Sequence, residues 1–150
     1  MILKTKRLIL RPPRKSDWKD VVEGVGNINV SKTTENIPHP YSKKDALGWI
    51  EDSIKSLKNK KAYNFVIELK SEKMVIGCIG LTNVDKFRGT AGTGSWINEE
   101  YWRRGYITEA KIAANDFAFN KLKLRKLNSS VFLDNLASNK TQQSTGYKFE

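Results

Sequence analysis

The chain has 150 residues, 39% of them hydrophobic and 10% aromatic, with one cysteine and a formal net charge of +11. That apolar content suffices for one compact core and excludes a disordered chain; the lone Cys78 excludes an intrachain disulfide and a cysteine metal cluster. No apolar run approaches the roughly 20 residues that cross a bilayer, and no charged-then-apolar leader precedes the first elements, so a single cytoplasmic domain over residues 1–150 with no membrane partner is expected.

Residues 3–11 (LKTKRLILR) alternate as a strand and stop at Pro12-Pro13, after which Ser16 is placed to cap a helix starting near Asp17 and ended by Gly24 and Gly26. The polar segment 27–41 reads as a loop or broken helix holding Glu35 and His39. Ser42 and Asp45 form a capping-box pattern for a helix through Lys58, with Ala46, Leu47, Ile50, Ile54 and Leu57 at helical spacing. Strands at 63–69 and 74–81 are separated by the turn Ser71-Glu72-Lys73 and should pair as a hairpin. Cys78 lies in that second apolar run, where a buried inert thiol is expected. A loop at 85–91 and a strand at 92–97 follow, then a helix from about Thr108 whose inner face is Ala110, Ala113, Ala114, Phe117 and Ala118. A strand at 127–133 and a helix at about 136–144, ended by Gly146, complete the order β-α-α-β-β-β-α-β-α. Hairpin-connected strands pair antiparallel, whereas strands joined by a helical crossover are parallel, so a mixed, mostly antiparallel α/β (α+β) sheet with helices on both faces is expected.

The most informative stretch is 94–110, GSWINEEYWRRGYITEA. A strand feeds a glycine-centred loop that opens directly into a helix, and the first N–H groups of a helix have no intrahelical acceptor, so they can bind a phosphate. Arg103 and Arg104 add positive charge. An ordinary strand-to-helix turn with solvated charges fits the same residues. The net charge likewise fits nucleic acid, a ribosome, anionic lipid, a phosphorylated cofactor, or solubility alone, the last suited to Lys55, Lys58, Lys60 and Lys61.

In four blocks the chain resembles the GNAT superfamily of acetyltransferases, in the Rim-type branch that acetylates ribosomal-protein N-termini. The blocks are TKRLILRPPRKSDW at 5–18, VIGCIGL at 75–81, GSWINEEYWRRGYITEA at 94–110 and DNLASNKTQQSTGYKF at 134–149. The resemblance implies acetyl-coenzyme A as co-substrate, no metal, and a protein N-terminus or a small amine as acceptor, with association with the ribosome. It implies that the pantetheine arm lies along Ser95, Trp96 and Ile97, and that the pyrophosphate sits on the amides of Arg103, Arg104, Gly105, Tyr106, Ile107 and Thr108. The N–H of Ile97 would polarise the thioester carbonyl, Asn135 would hold the amide arm, and Ser138 would protonate the departing thiolate. Glu35, His39 and Asp85 are candidates for the base, alongside a water chain. For Trp96 and Trp102 plain packing is the expectation, and for Asn135 and Ser138 helix capping is the alternative.

Two positions and the chain's end depart from the family pattern. Gln142 stands where many members have a tyrosine acid, and β-branched Ile107 stands where glycine or alanine is common and is expected to crowd the phosphates. The fold normally closes with two further strands, and this sequence stops about where the first would begin. A tail supplied by a partner subunit, as in a homodimer, a fragment, or an impaired enzyme each fit, and a non-catalytic RNA- or ribosome-binding module on the same fold is the rival reading.

Overall fold

A computed structural model of the chain describes residues 1–27, 30 and 41–129. The expected first strand is two: β1 (Leu3–Lys4) and β2 (Leu8–Arg11) form a hairpin across a tight turn. The turn closes on Thr5, whose N–H donates to the Leu8 carbonyl at 2.9 Å and whose hydroxyl accepts from the Leu8 N–H at 3.0 Å. A side chain that bonds its own backbone competes with the ladder and folds an otherwise alternating stretch back on itself.

A short 3-10 turn (Lys15–Asp17) leads into α1 (Trp18–Val25). Ser16 caps nothing among the described residues; the acid is Asp17, which accepts from the Arg14 N–H at 2.7 Å and takes Arg11 in a bidentate pair at 2.9 Å on both oxygens. Arg11 also reaches Glu68 at 3.0 Å, so β2, the strand carrying Glu68 and the start of α1 share one buried cation. The Asp17 hydrogen bond raises the Arg11 pKa, with burial opposing and Glu68 adding to it. Gly24 does not end α1. It lies inside the helix, buried, where any Cβ would collide with the ring of Trp96.

The helix α2 (Lys43–Lys58) starts at the expected capping box: Ser42 accepts from the Asp45 N–H at 3.2 Å, and Asp45 accepts from the Ser42 N–H at 3.0 Å. Its buried stripe is Ala46, Ile50 and Ser53, with Leu57 against the main core, while Ile54 is exposed. Ser53 takes the place Ile54 was expected to fill because it accepts a hydrogen bond from Asn64 on the sheet at 3.0 Å.

The sheet has six strands in sequence order. β3 (Tyr63–Leu69), β4 (Met74–Asp85) and β5 (Thr90–Ile97) follow β2 as an antiparallel meander, and β6 (Lys126–Ser129) lies parallel to β5. β4 runs four residues past its expected end at Leu81 because Thr82 and Asp85 still pair with β5. Opposite Ile67 and Glu68 the register slips by one residue of β4, a bulge that leaves Ile76 as the extra residue. The slip puts Val75 and Cys78 on one face of the sheet and Ile76 and Ile79 on the other.

The helix α3 (Tyr106–Asp116), extended by a π-helical turn (Phe117–Lys121), covers the larger face through Ala110, Ala114, Phe117 and Ala118. Alanine lets the helix lie close, and the Phe117 ring meets Tyr63 and Phe65 edge-on at 5.5 and 5.7 Å. α1 and α2 cover the opposite face, where Trp96 and Trp49 pack against Val66, Val75 and Cys78. The mixed, mostly antiparallel sheet with helices on both faces is as expected. The last helix expected at 136–144 and the chain after it lie outside the described residues. Among those residues no helix is long and apolar enough to cross a membrane, and no group of three or more His, Cys, Asp or Glu is placed to hold a metal.

Lys111 on α3 is 3% exposed, and burial pushes its pKa from the ordinary 10.5 down to about 8. Between those values the unfolded chain binds more protons than the folded one, so stability rises with pH across that window and the full penalty is present below it. Between pH 7 and pH 9.5 the Lys111 contribution should rise by about 2 kcal/mol, against an opposing loss from the raised Cys78 thiol, so denaturant unfolding should find the difference between wild type and Lys111→Met changing by about 2 kcal/mol over that range.

Candidate active site

The strand before the loop sets the geometry. The Asn98 N–H donates to the Ile76 carbonyl at 2.7 Å, and the β4–β5 register places Trp96 opposite Cys78 and Gly94 opposite Gly80. In an antiparallel pair hydrogen-bonded residues alternate, so Trp96 and Gly94 spend their backbone groups on β4, while those of Ser95 and Ile97 point to the other edge. On that edge β6 pairs only with Thr90–Thr93 among the described residues. The Ile97 carbonyl is already engaged, since the Trp102 indole N–H donates to it at 2.7 Å. That leaves the Ile97 N–H and the Ser95 backbone directed at the edge where a substrate arm could lie. Trp96 itself packs between the helices and the sheet, as Gly24 requires.

Beyond a 3-10 turn (Glu99–Tyr101), Arg103 and Gly105 both take left-handed backbone, φ 64° and 80°. Arg103 is a strained choice there; such outliers collect at ligand clamps, and loops of this kind turn successive N–H groups inward. Gly105 is the N-cap of α3 and offers no side chain to its first turn. The first intrahelical bond is Glu109 N–H to Gly105 carbonyl at 3.1 Å, so the N–H groups of Tyr106, Ile107 and Thr108 have no helical acceptor. The helix therefore starts at Tyr106, two residues before Thr108, and it opens directly from the glycine. Arg103, Arg104 and Gly105 are exposed. Ile107 packs against the main core, which directs its bulk to the sheet. These features fit a pyrophosphate: several converging N–H donors at the positive end of an 11-residue helix, beside two arginines.

One part of the loop was not legible from its own residues. Arg7, in the β1–β2 turn, donates from its N–H and Nε to the two Glu109 oxygens at 2.9 and 2.8 Å, and from Nη1 to the Arg104 carbonyl at 3.0 Å. Its guanidinium lies 4.3 Å from the centre of the Tyr106 ring, and the Thr5 hydroxyl also donates to Glu109. Burial raises the Glu109 pKa, but the hydrogen bonds from Thr5 and Arg7 outweigh it, and the net shift is downward. The hint in the sequence was Glu109 itself, an acid in the first turn of the helix.

Asp85 ends β4 and is occupied by its turn: it accepts from the Arg88 N–H at 3.0 Å and pairs with the Arg88 side chain at 3.8 Å. Cys78 is buried, and desolvation holds its thiol well above the ordinary range, so it is not a nucleophile. Tyr41 packs among Trp18, Trp49 and Trp96 on the helical face, where burial pushes its phenol up to about 12. Glu35, His39, Asn135, Ser138 and Gln142 lie outside the described residues.

The acetyltransferase (GNAT) domain family matches residues 7–148. The uncharacterised N-acetyltransferase YoaA of Bacillus subtilis is 28% identical over 149 residues, covering 99% of this chain and 84% of that relative. Among solved structures, the ribosomal-protein-S5-alanine acetyltransferase of Vibrio fischeri superposes with a TM-score of 0.88 at 18% identity, covering 100% of this chain and 84% of its own. RimL, a ribosomal L7/L12 α-N-protein acetyltransferase solved with coenzyme A, gives 0.88 at 16% identity, with 100% and 85% covered. With the family matched across both the sheet and the glycine loop, the chain belongs to the GNAT acetyltransferases and moves an acetyl group from acetyl-coenzyme A to an amine.

Proposed function

We propose that residues 1–150 act as one acetyltransferase domain whose acceptor is the N-terminal α-amine of a protein, such as a ribosomal protein. The observation that carries the donor half is the uncapped first turn of α3 at Gly105, next to an edge of β5 on which the Ile97 N–H is directed outward. In this reading the amides of Arg103 to Thr108 bind the pyrophosphate, Ser95 and Ile97 hold the pantetheine arm, and Trp96 sets the strand's position from the opposite face. The Ile97 N–H donates to the thioester oxygen as negative charge develops there. Asn135 holds the amide arm, Ser138 gives a proton to the departing sulfur, and Glu35 accepts the proton lost by the amine.

The acceptor follows from proton chemistry. An α-amine has a reference pKa near 7.7 to 8.0 against about 10.4 for lysine, so far more of it is neutral at pH 7 and it needs less help from a base. Two structural neighbours bear the names of ribosomal-protein acetyltransferases, which supports this choice, and a charge of +11 suits a substrate met on RNA. Incubating the protein and acetyl-coenzyme A with ribosomal proteins and reading modified N-termini by mass spectrometry should find α-acetylation; modification confined to small amines would replace the acceptor. Ser138→Ala should lower kcat about 100-fold while leaving acetyl-coenzyme A affinity unchanged, and unchanged turnover would remove Ser138 as the acid.

A further inference from the structure

We propose that Arg7 is the positioning residue of the Gly105 loop, tying the β1–β2 turn, α3 and the loop backbone into one clamp that holds the phosphate-binding amides in place. The inference rests on the reading of that loop as the pyrophosphate site. Three groups converge on one side chain: Oε1 of Glu109, the carbonyl of Arg104, and the face of the Tyr106 ring, while the Arg7 backbone N–H holds Glu109 Oε2. The contact is specific to a planar, forked cation. Nε serves the helix while Nη1 serves the loop, and an ammonium has no such fixed pair of directions. Nη2 lies 3.4 Å from the place a Cβ would occupy on Gly105, so the guanidinium backs the residue whose left-handed conformation opens the helix.

Charge gives the clamp a second effect. Glu109 sits in the first turn of α3, where a carboxylate would repel a bound phosphate, and Arg7 neutralises it at 2.8 Å. The turn that presents Arg7 is itself braced: the Lys70 N–H donates to the Arg7 carbonyl at 2.9 Å, and the Lys70 side chain reaches the Thr5 carbonyl. Arg7 is thus held from the sheet side and holds the loop on the other.

The test uses the full chain in three forms: wild type, Arg7→Lys, and Arg7→Gln with Glu109→Gln. Lysine keeps the charge without the fork, and the double variant balances charge without the clamp. Amide hydrogen exchange of residues 103–108 without ligand should be faster in both variants, acetyl-coenzyme A affinity by calorimetry should fall about tenfold in both, and melting temperatures should stay close to wild type. Unchanged exchange overturns the clamp. So does wild-type affinity in either variant, which would leave charge alone as Arg7's contribution. A wild type that exchanges slowly but does not bind acetyl-coenzyme A overturns the pyrophosphate reading, and with it Arg7's positioning role, by a different result. Should Arg7→Lys fail to fold, the double variant carries the comparison.

Discussion

A Gly105→Pro variant is expected to lose saturable binding of acetyl-coenzyme A. Gly105 has φ 80°, whereas a proline ring holds φ near −65°, a rotation the N-cap cannot absorb locally. The substitution would turn the Gly105 carbonyl away from the Glu109 N–H and swing Arg103 and Arg104 out of line with the first turn of α3. It would also remove the Gly105 N–H, one of the donors assigned to the pyrophosphate. A cradle made of converging amides fails when their common orientation fails, so affinity should drop by about 100-fold or more. Gly105→Ala separates conformation from bulk. Its Cβ would meet Arg7 only at ordinary contact distance, 3.4 Å, so its smaller loss, about tenfold, reflects the left-handed backbone alone. Calorimetry on folded protein, with circular dichroism as the control, reads both. Wild-type affinity in the proline variant would exclude this loop from the donor site.

Asp17→Ala should cause a large loss of stability, about 3 kcal/mol, with the melting temperature falling by about 6–12 °C. Asp17 and Arg11 are 6% and 8% exposed, and the pair is bidentate at 2.9 Å. Removing the carboxylate leaves the Arg11 guanidinium buried with Glu68 as its remaining acid partner and frees the Arg14 N–H that held the turn into α1. The penalty is that of a buried charge short of hydrogen bonds, which exceeds the net worth of the pair itself. Arg11→Met combined with Asp17→Ala should recover part of the loss, because it removes the stranded cation as well. Urea unfolding of the three proteins checks the ordering, and a loss below about 1 kcal/mol in Asp17→Ala would show that Glu68 suffices for Arg11.

Elements whose signals are local were legible in the sequence. The capping box at Ser42 and Asp45 and the alanine face of α3 rest on residues three or four positions apart, and both form as expected. So did the order of hairpins and crossover that makes β6 parallel to β5. Signals that depend on distant partners were not legible. Residues 3–11 alternate well enough for one strand, and only Thr5 folding back on Leu8, backed by Glu109 from α3, divides them. Gly24 reads as a helix stop until Trp96 arrives to need its space. The side chain of Ile107, expected to crowd the phosphates, packs at least partly against the main core, a contact its own neighbours in sequence do not name. In the candidate site, the glycine loop opening into a helix was legible because glycine and a helix start are local facts. Arg7 was not, because nothing near it in sequence names the carboxylate it meets.

Strand order that repeats sequence order has a consequence for assembly. Ser95, Ile97 and the Gly105 loop come from one short continuous stretch, but Arg7 and Glu109 are 102 residues apart. Along the chain β2 and α3 are separated by β3, β4 and β5, each laid beside its predecessor. The hydrogen bonds of Arg7 and Thr5 to Glu109 therefore close loops of 102 and 104 residues, and their ordering cost is met only when the whole meander is in place. A nascent or half-unfolded chain can hold the loop's amino acids without the Arg7 contact, so under the proposed pyrophosphate reading the grip on a donor is tied to the completion of folding.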